Sequence, residues 1–167
     1  RLRGNDTSIN DLFGRAVALN DDYAIVGANQ VQAAYVFDAY TGNQIRKFTA
    51  LNASGFGFGT AVALNGDLAV IGDSSDETKG SDAGAVHIFR VSTGELTRTL
   101  YPSAFFSIFD HFGAAVDIQG DILVVGAPGA DAAGLNSGAA YVYQVSSGSL
   151  LHTLAPNVPG SGFGNEI

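Results

Sequence analysis

Apolar and polar positions alternate along the chain in short bursts, and the bursts recur in phase. In the stretch FGAAVDIQGDILVVGAP, residues 112–128, β-branched and small apolar residues flank a glycine, and the segment is bounded by Phe-Gly and Gly-Ala-Pro. Period-two alternation over five to seven residues is the mark of a strand. This pattern predicts four strands in the surrounding unit: Ala114–Gln119, Asp121–Gly126, Ala139–Val145 and Ser149–Leu154. Glycine at Gly120 supplies the positive φ of a tight hairpin between the first two, with Gln119-Gly120 as the expected turn and Asn65-Gly66 its counterpart upstream. Asn20-Asp21 takes the same place earliest in the chain. Thr41-Gly42, Thr93-Gly94 and Ser147-Gly148 are expected as two-residue turns between the third and fourth strands.

The unit is a repeat. Phe-Gly occurs at Phe13, Phe58, Phe112 and Phe163, spacings of 45, 54 and 51 residues. Periods of this size point to propellers or solenoids. FGRAVALNDDYAIVGAN, FGTAVALNGDLAVIGDS and FGAAVDIQGDILVVGAP align without a gap, and each is followed by a second half that opens with a Tyr/His-x-Phe/Tyr strand. The largest length difference falls between the halves, where the first unit lacks a seven-residue insertion. Four antiparallel strands per unit make a propeller blade. A parallel β-helix is the rival, but its repeats are shorter and lack tight hairpins. Ala16, Ala18, Ala61, Ala63, Ala114 and Ala115 place small residues on the first strand, as the innermost strand requires where blades converge. Phe37, Phe89 and Tyr143 are expected to fill the wider space between blades.

The in-phase Phe-Gly and Gly-Ala-Pro marks resemble the FG-GAP repeat of integrin α-subunit propellers and of microbial and algal surface proteins. The resemblance covers nearly the whole chain, although only the third unit carries the full Gly126-Ala127-Pro128. It implies an all-β propeller built of four-stranded blades: an extracellular or cell-surface, non-catalytic module for adhesion, protein binding or assembly. Blade repeats are expected at about 13–57, 58–111 and 112–162, with 1–12 ending a preceding blade and 163–167 starting another. Three blades fall short of the ~4–8 of a closed ring, so a larger ring of six to eight blades is expected, seven by resemblance alone. Arg1 reads as an internal or processed start.

Integrin-type repeats bind calcium in the turn between the first and second strands. A two-residue turn cannot supply the six or more oxygens a hard cation takes. Asp22, Asp67 and Asp121, which recur there, are therefore read as turn residues accepting backbone hydrogen bonds. The insertion of the second unit, DSSDETKGSDAG, has oxygens enough for calcium at Asp73, Asp76, Glu77 and Asp82, but its spacing matches no EF-hand. A solvated loop closed by Asx turns is the competing reading, and no cofactor is required for either.

The longer second-to-third and blade-to-blade connections fall on one face, the expected binding surface. There YPSAFFSIFDH, residues 101–111, stands out from the small polar segments at equivalent places. Phe105, Phe106 and Ile108 are candidate partner contacts or plugs between blades, with Phe109 expected to be the most buried. Asn5 and Asn52 open Asn-x-Ser/Thr sequons in blade-to-blade connections, candidate glycosylation sites.

Composition narrows the classes. Apolar residues make up 46% and charged residues 14%, which excludes an extended disordered chain. A net charge of -8 with no basic run argues against nucleic acid and anionic membrane surfaces. With no cysteine, disulfides and thiolate chemistry are excluded. No apolar run is long enough for membrane insertion. His87, His111 and His152 have no zincin-like spacing, His87 reads as a packed strand residue in the place of Tyr35 and Tyr141, and no Gly-x-Ser-x-Gly elbow occurs. The expectation is a non-enzyme whose partner is a protein, or a second copy joined through the long-connection face or blade edges. A glycan held between loop aromatics and carboxylates, or a scaffold role within a larger secreted enzyme, are the alternatives.

Overall fold

The computed structural model describes residues 2–50, 55–102, 108–157 and 163–166. Twelve strands form three antiparallel four-stranded sheets, each in simple sequence order. The first holds β1 (Val17–Leu19), β2 (Tyr23–Ala28), β3 (Ala33–Asp38) and β4 (Gln44–Thr49). The second holds β5 (Phe58–Asn65), β6 (Leu68–Asp73), β7 (Ala85–Arg90) and β8 (Leu96–Leu100). The third holds β9 (Ala115–Gln119), β10 (Ile122–Ala127), β11 (Ala139–Gln144) and β12 (Ser149–Leu154). Among the described residues there is no α-helix, and none long and apolar enough to cross a membrane; a single 3-10 turn spans Asn29–Val31.

The hairpins sit one residue later than the sequence suggested. Asn65 pairs with Leu68 and Gln119 with Ile122, so the two turn residues are Gly66-Asp67 and Gly120-Asp121. Gly66 and Gly120 take φ of 53° and 58° at the first turn position, where glycine costs least. Asn20 instead closes the first blade's turn, its Oδ1 accepting from Asp22 N at 3.1 Å and Tyr23 N at 2.8 Å. The third-to-fourth turns are longer than expected. Gly42 N donates to Asp38 O, Gly94 N to Arg90 O and Gly148 N to Gln144 O, each a four-residue spacing with the glycine at positive φ. The extra residues let this turn lean on the neighbouring hairpin: Ala39 N donates to Asp22 O, Val91 N to Asp67 O and Val145 N to Asp121 O.

The blades stack face to face. Ile25, Val36 and Phe48 of the first meet Phe58, Leu64, Ile71 and Phe89 of the second. The Phe48 and Phe89 rings stack there with centroids 4.4 Å apart. Val70, Ile88 and Leu100 then meet Phe112, Ile118, Leu123 and Tyr143 of the third. Ala61 and Ala115 on first strands, with Ala16 and Ala114 just before theirs, line an open cleft, in keeping with the inner-strand reading. Residues 2–12 form no strand. Instead Leu2 and Phe13 pack on the first blade beside Val26, Tyr35 and Phe37, and the Tyr35 hydroxyl donates to Asp6 at 2.9 Å.

Both bookends of the repeat have a tertiary cause. Each Phe of Phe-Gly lies against the aromatic pair on its own third strand: Phe13 on Tyr35 and Phe37, Phe58 on His87 and Phe89, Phe112 on Tyr141 and Tyr143, with centroids 5.5–6.3 Å apart. The later glycine of each unit instead faces the next blade. A Cβ on Gly27, Gly72 or Gly126 would stand 2.1, 2.0 or 2.0 Å from the carbonyl oxygen of Gly59, Gly113 or Gly164. Phe-Gly of one unit and the second mark of the unit before it are thus two halves of one backbone contact.

Candidate functional site

Simple up-and-down order puts the first-to-second and third-to-fourth turns on one rim and all other connections on the opposite rim. The turn rim is occupied by structure-holding bonds. Asp67 accepts from Ser92 N at 2.7 Å and Ser92 Oγ at 2.6 Å, and Asp121 accepts from Ser146 N and Oγ, both at 2.7 Å. The Ser146 bonds hold the Asp121 carboxyl below its ordinary pKa. At Asp67, partial desolvation opposes the bonds from Ser92, and the bonds prevail to lower it. Arg46 of the first blade reaches across to Val91 O at 3.0 Å and Ser92 O at 2.6 Å of the second, and Arg98 reaches Ser146 O of the third at 3.2 Å. Asp67 and Asp121 are spoken for by serines and Asp38 by Thr41, and a two-residue turn has no room for a calcium loop.

The long-connection rim is different. Leu12, Val31, Phe56, Ile108, Phe109 and Leu135 all stand there with 38–76% of their surface exposed. Phe109, expected to be the most buried of its segment, is 49% exposed, and Ile108 is 58% exposed. Backbone bonds explain why Phe109 turns out. The segment runs alongside the second blade's insertion, with Phe109 N donating to Ser81 O, His111 N to Asp82 O and Phe112 N to Ala83 O. On its other side Gly129 N donates to Asp110 O. Phe109 and His111 are held at positive φ, so the chain kinks at each. Phe105 and Phe106 lie outside the described residues, as does Asn52. Asn5 is exposed, its main-chain N–H donating to Gln44 Oε1 at 2.8 Å.

The four carboxylates of the insertion are separated by the fold. Glu77 is exposed. Asp82 takes φ 49°, the value that Asn136 takes at the matching place in the third blade, and its carbonyl bonds His111. Asp82 is therefore accounted for by a left-handed turn position. Asp73 and Asp76 go inward, 1% and 3% exposed, and meet His87, itself 3% exposed. One ligand-type atom from each lies within 4.8 Å of the others. Burial pushes the Asp73 carboxyl pKa up, with His87 pulling the other way. Deeper in the third blade, burial pushes the Tyr143 hydroxyl up to about 12. His87 is a packed strand residue, as the sequence reading held, with Phe58 on its ring at 5.5 Å. Its meeting with the two aspartates lies beyond local pattern, although comparing the units in register exposes it.

Three sheets of this order, stacked by their faces around a cleft lined with first strands, are β-propeller blades. The model of the FG-GAP repeat family matches residues 1–37, 43–89 and 107–143, more than half of the chain, and the chain belongs to that family. No curated protein matches it. Among solved structures it is similar to that described as "Crystal structure of RRP9 WD40 repeats", at 14% sequence identity and a TM-score of 0.62. That match covers 92% of this chain and 40% of the neighbour, so the chain spans less than half the neighbour's length. At this identity the likeness concerns fold alone.

Proposed function

We propose that this FG-GAP propeller module is a non-catalytic recognition or assembly platform, extracellular or on the cell surface, that engages a protein partner through its long-connection rim. The observation that carries the reading is the distribution of exposed apolar side chains among the connections. Phe56, Ile108, Phe109 and Leu135 stand on that rim, whereas Tyr40 is the large hydrophobe exposed in the turns opposite. Apolar groups gathered on loops of a rigid scaffold mark interaction surfaces. On the turn rim Asp67 and Asp121 are bonded to serines of their own blades, and Arg46 and Arg98 are committed to the neighbouring blade.

The test is a combined Phe56→Ser, Ile108→Ser and Leu135→Ser variant, compared with the parent for binding to immobilised extracellular-matrix proteins and for self-association by sedimentation velocity. Saturable binding or association that drops at least tenfold in the variant, with an unchanged melting temperature, supports the proposal. Equal binding by both proteins refutes the rim assignment. Binding confined to a glycan array favours the carbohydrate alternative, and a turnover abolished by one point substitution overturns the non-catalytic reading.

A further inference from the structure

We propose that Asp73, Asp76 and His87 form a buried site for one first-row divalent transition cation of the zinc type. The proposal is independent of the rim and of any partner.

The argument begins with register. Asp73 pairs with Ala85 and Ile71 with His87, so Asp73 and His87 are diagonal neighbours on one face of the β6–β7 ladder. Asp76 is brought under them by a turn in which its N–H donates to Asp73 O, and its own carbonyl accepts from Gly84 N. The third blade builds the same turn with the same two bonds, Ala130 N to Ala127 O and Gly138 N to Ala130 O. The equivalents of Asp73, Asp76 and His87 there are Ala127, Ala130 and Tyr141. In the first blade, which lacks the insertion, Ala28 and Tyr35 fill the first and third places. The turn therefore folds without carboxylates. Three ligand-type residues replace alanine, alanine and tyrosine together, in one blade, at three places that meet.

Two of the three ligand-bearing side chains are left with orphan atoms. Asp73 Oδ1 and His87 Nε2 are buried and have no hydrogen-bond partner among the described residues. Buried polar atoms without partners are rare and need a cause. A direct ion pair does not supply it, because His87 Nε2 is 3.9 Å from Asp73 Oδ2, beyond hydrogen-bond reach. A buried pair that leaves Asp73 Oδ1 and His87 Nε2 without hydrogen bonds recovers its desolvation cost poorly. A cation between them does supply the cause: tetrahedral ligands at about 2.0–2.2 Å stand ~3.3–3.6 Å from one another, so His87 and Asp73 at 3.9 Å, and the three atoms within 4.8 Å, have only to close inward on the ion. The far side of the imidazole is already oriented, since His87 Nδ1 lies 3.1 Å from Thr99 Oγ1. With Nδ1–H donated to Thr99, Nε2 carries the lone pair, the arrangement that metal-binding histidines use.

Ligand chemistry selects the cation. Calcium takes six to eight oxygens. One imidazole and two carboxylates in a closed interior suit Zn²⁺, Co²⁺ or Mn²⁺ instead. Bound there, the ion ties the insertion to both central strands of the second blade, beneath the segment that presents Ile108 and Phe109.

The experiment uses the full chain, stripped with EDTA and titrated with Zn²⁺, Co²⁺ and Ca²⁺ by calorimetry, Co²⁺ absorption and thermal melting. One equivalent of Zn²⁺ is expected, with visible Co²⁺ bands and a melting temperature higher by roughly 5–10 °C when free ion is ~100-fold above Kd. The combined Asp73→Ala, Asp76→Ala and His87→Tyr variant restores the third blade's residues and is expected to fold, by circular dichroism, without metal uptake. Asp76→Asn, nearly isosteric, is expected to weaken binding at least tenfold. Absence of Zn²⁺ and Co²⁺ uptake, or uptake that survives these substitutions, overturns the proposal. Preference for Ca²⁺ overturns the cation class.

Discussion

Replacing Gly72 by alanine isolates the contact that sets the repeat. Gly72 does not have a positive φ, so the backbone accepts alanine, and the obstacle is the neighbour alone. The new Cβ would stand 2.0 Å from the Gly113 carbonyl oxygen, 3.0 Å from its carbon and 3.3 Å from Ala61 Cβ. The nearest atom is backbone, and its residue is itself pinned by the bond from Gly113 N to Gly126 O at 2.9 Å. The third blade must retreat by about 1 Å or more from the second to restore ordinary contact. Forcing such a shift through a packed interface costs about 3 kcal/mol, the upper end for overpacking, against ~0.4–1 kcal/mol recovered from the less flexible unfolded chain. The control is Gly66→Ala. Nothing lies within 4 Å of its added Cβ, but φ is 53°, so the cost is about 1 kcal/mol of backbone strain. Thermal melts should show Gly72→Ala lowered by roughly 5–10 °C and Gly66→Ala by about 2–4 °C. If the two fall together, or Gly66→Ala falls further, the close-approach account of the second glycine mark is wrong.

Two further predictions follow from the same structure. Phe58 is fully buried against His87 and Phe89, so Phe58→Ala should cost about 3–5 kcal/mol in denaturant unfolding, whereas Phe56→Ala, whose ring is largely exposed, should stay within about 0.5 kcal/mol. Asp121 has a folded pKa below its unfolded one, so its bonds to Ser146 stabilise fully above the unfolded value and are lost as pH falls through the folded value. Melting followed from pH 6 down to pH 2 should therefore show a smaller acid-induced drop in Asp121→Asn than in the parent, and parallel curves would refute it.

Much of this molecule is legible in the sequence because its determinants are local. Alternation and β-branching over five or six residues specify a strand, and Gly120 specifies where the chain reverses. Recurrence of Phe13, Phe58 and Phe112 reveals that one unit is built repeatedly, and small residues on the first strand identify which strand lies innermost. The one-residue offset of the Gly66-Asp67 turn, and the longer turn ending at Gly42, were not legible, since both depend on which residues pair across the hairpin and on a neighbouring loop's carbonyl. The exposure of Phe109 escaped for a similar reason. An aromatic in a loop looks like a plug until backbone bonds to Ser81 and Asp82 turn it outward.

By itself the sequence determined the repeat, the strand order within each blade and the glycines that had to be glycine. Only the tertiary structure decided what those glycines were for. Gly27, Gly72 and Gly126 each answer to a carbonyl in the following blade, some 32 to 41 residues away, and their recurrence marks the places without naming the atom each one makes room for. The same holds for Asp73, Asp76 and His87. Their side chains read as a polar loop and a strand residue until pairing of β6 with β7 closes the distance, and burial then removes the water that would otherwise have satisfied them.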